Sequence, residues 1–120
     1  MKYMLMIYNR SGFTQELSEE QQNELFGRVD SILAELTESG ELLGTEALAD
    51  PAQTKTVRVR DGVPVVTDGP YIEAKEQFAG YLLLECETPE RAIDIAARWP
   101  DAEYWAMEVR PVMTAGGTEM

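Results

Sequence analysis

The chain has 120 residues, of which 22 are acidic, 10 are basic and none is histidine, giving a net charge of -12. Its apolar fraction of 44% and charged fraction of 27% match a soluble globular domain and exclude a disordered or fibrous chain. So acidic a protein repels phosphate backbones, which excludes direct nucleic-acid binding by the usual electrostatic route, and no run reaches the roughly eighteen apolar residues of a membrane span.

The opening "MKYMLMIYNR" is apolar at both parities from Lys2 to Tyr8 and reads as a strand buried on two sides. Its apolar run is too short for a signal-peptide core, and the lone Cys86 fits a reducing compartment, so a cytoplasmic location is expected. Ser18 and Gln21 form a capping-box pattern ahead of Leu25, Val29, Ile32, Leu33 and Leu36, and Gly40 supplies the stop, which predicts the first helix. From Gly40 to Thr54 the small and turn-forming residues read as a loop holding one short strand. "TVRVRDGVPVVT" alternates, turns at Asp61-Gly62 and returns, a hairpin because both turn positions need positive φ. "FAGYLLLECE" is another strand apolar on both faces, and Thr88-Pro89 caps and opens a second helix through Ala92, Ile93, Ile95, Ala96 and Ala97 up to Trp99-Pro100. "AEYWAMEVRPV" closes as the last strand, giving one domain over residues 1–113 and a frayed tail over 114–120.

Strand, helix, hairpin strands, strand, helix, strand predicts an α+β fold, a ferredoxin-like antiparallel sheet with two helices on one face. Strands apolar on both sides then leave the other face bare. About 800 Å² of such surface represents about 20 kcal/mol of gross hydrophobic free energy at about 25 cal/mol per Å², against association costs of about 4–15 kcal/mol. A face-to-face homodimer, the dimeric α+β barrel, is therefore expected.

"DGPYIEAKEQFAGYLL", Asp68 to Leu83, behind the hairpin and ahead of the closing "EVRPV", resembles the YCII-related family in its DGPF-motif branch, across nearly the whole chain from "MKYMLMIY" to "VRPVM". Tyr71 stands where that branch has Phe. The resemblance implies a dimeric α+β barrel, an enzymatic role leaning on a paired His and Asp, and a link to sigma-70-type transcription factors as partners. Half of that pair is absent here, because the chain has no histidine.

Asp68 has two compatible readings, a general base or hydrogen-bond acceptor aimed between two stacked sheets and an Asx-turn carboxylate accepting from the backbone of Tyr71. In the first, Tyr8 or Tyr71 donates hydrogen bonds and Arg58 or Lys75 holds an anionic group of a small polar or aromatic molecule undergoing proton transfer, elimination or isomerisation. Glu73 and Lys75 pair in an extended segment or remain solvated. Arg58 and Arg60 share a hairpin face as carboxylate binders or as a solvated flank. Gly80 permits close approach by a ligand or by a neighbouring strand. With no histidine and one cysteine, no metal and no cofactor is expected. A regulatory module without catalysis is the alternative.

Overall fold

The computed structural model describes residues 1–113, so the expected frayed tail lies outside the described residues. In chain order the elements are β1 (Lys2–Arg10), α1 (Phe13–Glu16), α2 (Glu19–Ser39), β2 (Leu42–Ala47), a 3-10 turn (Pro51–Gln53), β3 (Lys55–Arg60), β4 (Val63–Asp68), β5 (Glu76–Glu85), α3 (Pro89–Arg98), α4 (Pro100–Tyr104) and β6 (Ala106–Pro111).

The main sheet is antiparallel with order β2-β5-β1-β6, the ferredoxin-like arrangement. Its second strand is β2, from the segment expected to be mostly loop. The β3–β4 hairpin forms a separate two-stranded sheet. This corrects the expected element order, in which the hairpin strands supplied the sheet. Alternation shows that a strand has an apolar side, and it does not show what that side meets. The last strand is also shorter than expected: Pro100, a favoured first helical residue, starts α4, and β6 begins only at Ala106.

Local signals explain the rest. Ser18 Oγ accepts from the Gln21 N–H at 3.1 Å and Gln21 Oε1 accepts from the Ser18 N–H at 2.9 Å, completing the capping box of α2. Thr88 Oγ1 accepts from the Arg91 N–H at the start of α3. At the hairpin turn Asp61 (φ 51°) and Gly62 (φ 76°) both adopt the left-handed region, as a two-residue loop of this kind requires.

Both helices cover one face. Ile32 and Leu36 of α2, and Ala92, Ile95 and Ala96 of α3, pack with Tyr3, Leu5, Leu82, Leu84, Cys86 and Trp99 in one core. Ile93 and Ala97 of α3 lie exposed. Glu35 bridges to Arg98 and Arg91, and Arg91 also bonds Glu41, tying α2 to α3 across their solvent side. The register puts Met4, Met6 and Tyr8, Tyr81 and Leu83, and Glu108 and Arg110 on the opposite, helix-free face.

Candidate functional site

Beneath α2 and one end of the sheet lies a cavity of about 370 Å³ with mostly apolar walls. Three local features shape it. The β1–β5 pairing shifts register between Ile7 and Tyr8, which leaves Ala79 as an extra residue on β5, and this small side chain lines the wall. Gly80 lets β2 come close: a Cβ there would lie 2.6 Å from the Glu46 carbonyl oxygen, so the neighbouring strand is what this glycine accommodates. Phe13, from the short α1, lines the cavity and is held by tilted contact at 5.0 Å with Tyr104 and edge-on contact at 5.8 Å with Trp105.

The polar end belongs to Asp101. Pro100 fixes the first turn of α4 and turns the next side chain inward, so Asp101 is only 6% exposed. Asn9 Nδ2 donates to Asp101 Oδ2 at 3.0 Å, and no Lys or Arg forms a salt bridge with it among the described residues. Burial pushes the Asp101 carboxyl above the ordinary carboxylate range, with hydrogen bonding from Asn9 opposing that rise. A carboxyl group in an apolar cavity, oriented by the Asn9 amide and the Trp99 side chain, can act as proton donor or acceptor toward a bound molecule. Neither Asp101 nor Asn9 is a candidate from sequence. The signal was the "WPD" run, an acid placed by Pro100 directly after a large aromatic.

The residues expected from sequence fall in three places. Arg58, Asp68, Tyr71 and Glu73 line one concavity of about 420 Å³ at the root of the hairpin, with the Arg58 guanidinium 5.5 Å from the centre of the Tyr71 ring. Asp68 is 84% exposed and ion-paired to Lys55. The turn after it is held by other groups: the Gly69 N–H donates to Thr54 O at 2.8 Å and Thr56 Oγ1 donates to Gly69 O at 2.7 Å, while Gly69 takes φ 92°. Lys75 lies exposed outside this concavity, with no salt bridge to Glu73 among the described residues. Tyr8 is elsewhere, on the helix-free sheet face with its ring 5.9 Å from Phe78. The Glu108 carboxylate beside it, aided by burial, pushes the Tyr8 hydroxyl upward.

This ferredoxin-like domain, with a cavity between helix and sheet, belongs to an established class. The chain is a member of the YCII-related family, whose domain model matches residues 1–115. It is 29% identical over 114 residues to an uncharacterized protein of Rhizobium meliloti (strain 1021), covering 93% of this chain and 92% of that one. Among solved structures it is similar to 5-chloro-2-hydroxyhydroquinone dehydrochlorinase (TftG) from Burkholderia phenoliruptrix AC1100 in complex with 2,5-dihydroxybenzoquinone. That likeness has a TM-score of 0.55 at 12% identity and covers 99% of this chain and 100% of the other.

Proposed function

We propose that this protein binds a small, ring-sized, mainly apolar molecule carrying a polar oxygen in the cavity beneath α2, and that Asp101 exchanges a proton with it during an elimination or isomerisation. The observation that carries this is a buried carboxyl, without a cation partner among the described residues, at the end of a largely apolar cavity. Asn9 holds one carboxyl oxygen and, with the Trp99 side chain, fixes the group's orientation. About 370 Å³ lies within the usual range of small-molecule sites, about 300–1,000 Å³. The fold-level likeness to a dehydrochlorinase bound to a dihydroxybenzoquinone supports a ring as the ligand class, by analogy.

Asp101 takes the role that the sequence alone gave to Asp68 for a physical reason. A carboxylate 84% exposed and paired with Lys55 faces solvent, whereas proton transfer near neutral pH is best served by a group whose proton affinity burial has raised. In the same proposal a second copy covers the helix-free face, with Glu108 and Arg110 available for opposite-charge contacts across a two-fold axis.

Calorimetric titration with 2,5-dihydroxybenzoquinone as probe tests the site. The wild type is expected to bind, Val29→Trp to lose binding because Val29 lines the cavity, and Asp101→Asn to weaken it. Equal affinity in the Val29→Trp protein would place the ligand elsewhere. Proton exchange or turnover with ring substrates separates an enzyme from a binding module: occupancy without turnover would favour the latter.

A further inference from the structure

We propose that the β3–β4 hairpin is a clasp whose valine face docks on a second copy of this chain. The register Val57↔Val66 and Val59↔Pro64 puts these four apolar residues on one side of the hairpin. Val57, Val59 and Val66 are 61%, 59% and 60% exposed. Among the described residues the hairpin strands pair only with each other, and a lone two-stranded hairpin is marginal in water without a surface to pack on. It also makes the molecule extended, 49 Å by 43 Å by 18 Å with a radius of gyration of 16.4 Å, where a compact chain of about 100 residues has about 13 Å.

Area selects the occupant. The helix-free sheet face, four strands at about 4.8 Å spacing and about six residues long, has a plan area of about 400 Å². The hairpin face adds about 200 Å² on the same basis. Since side chains raise the accessible area above the plan area, the two faces together approach the roughly 800 Å² per partner of a stable interface, which neither reaches alone. The hairpin carries Lys55, Arg58 and Arg60 against Asp61 and Asp68, a net charge of +1 in a chain of -12. The register sets Arg58 and Arg60 on the side of the hairpin away from Val57 and Val59, so these charges stay outside the docked face, and a second copy offers the arm an equivalent partner by symmetry.

The hairpin's two ends meet at the Thr54–Gly69 hydrogen bond of 2.8 Å, so residues 55–68 can be excised without stretching the chain, and the core does not include them. Sedimentation equilibrium over a concentration series tests the proposal. The wild type is expected to be a dimer. Val57→Asp/Val66→Asp and the excised variant should each dimerise about 100-fold more weakly, with far-UV spectra and cooperative unfolding intact. Val63→Asp, on the other hairpin side, should dimerise as wild type. Backbone amides of the hairpin should exchange more slowly as concentration rises. An excised variant that dimerises as tightly as wild type would overturn the clasp while leaving sheet-face pairing standing, and a monomeric wild type would overturn both. If the double variant fails to fold, the excised protein decides alone.

Discussion

Gly80→Ala tests the close passage of β2 that closes the cavity. The added Cβ would lie 2.6 Å from the Glu46 carbonyl oxygen and 3.3 Å from the Ala47 Cα. Both neighbours are backbone atoms in a paired strand, so relief requires β2 to retreat by roughly 0.5–1 Å to reach normal contact. Overpacking of this kind costs about 1–3 kcal/mol. At about 4 °C of Tm per kcal/mol for a domain of this length, the variant should melt about 4–12 °C below wild type. Glu46 and Ala47 also line the cavity, so the same substitution should weaken the ligand probe. Thermal unfolding followed by circular dichroism gives the first number and calorimetric titration the second. A Tm within about 1 °C of wild type would refute the close approach and, with it, the account of how β2 shapes the site.

Asp101 and Glu35 should give opposite pH signatures. Because burial raises the folded-state value of Asp101, the folded chain holds that proton more tightly than the unfolded chain, and the ionised group destabilises the fold once pH rises above the ordinary carboxylate range. Asp101→Asn should therefore raise Tm at neutral pH and change it little in acid; a Tm gain that is the same at both would remove the buried-charge explanation. Glu35 is held down to about 2 by Arg98 and Arg91, so its contribution is present above the ordinary carboxylate range and lost as pH falls toward 2. Glu35→Gln should flatten the acid limb of the stability profile, and an unchanged limb would leave the bridge between α2 and α3 without effect. Ser18→Ala should lower stability by about 1 kcal/mol through loss of the capping box, measured by urea denaturation, while a change near zero would mean that solvent replaces the cap.

What could be read from the chain is what short-range chemistry decides. Ser18 with Gln21, Thr88 with Pro89, and Asp61 with Gly62 each act within a few residues, and each appears as expected. Arg58, Asp68, Tyr71 and Glu73 come together for the same reason, since one hairpin and its following turn carry them all. Tyr8 does not join them because β1 carries it in the main sheet, and Lys75 lies outside the concavity in the irregular segment that leads into β5. β2 escaped notice as a strand of the main sheet because an edge strand such as "LLGTEA" is mostly exposed and needs little apolar alternation. Asp101 escaped because burial of a carboxyl depends on how Pro100, Asn9 and α2 meet in space, and the local "WPD" run records only the proline-set turn and not that meeting.

Cys86 is the sole thiol in the chain and sits in the core, with burial raising its proton affinity. Reagents that modify thiolates should therefore react only when the sheet parts from its helices, so their labelling kinetics become an internal clock for rare excursions of the native domain. Any cysteine added at an exposed position would react on a separate, faster timescale, and a single sample could then report surface chemistry and core opening side by side.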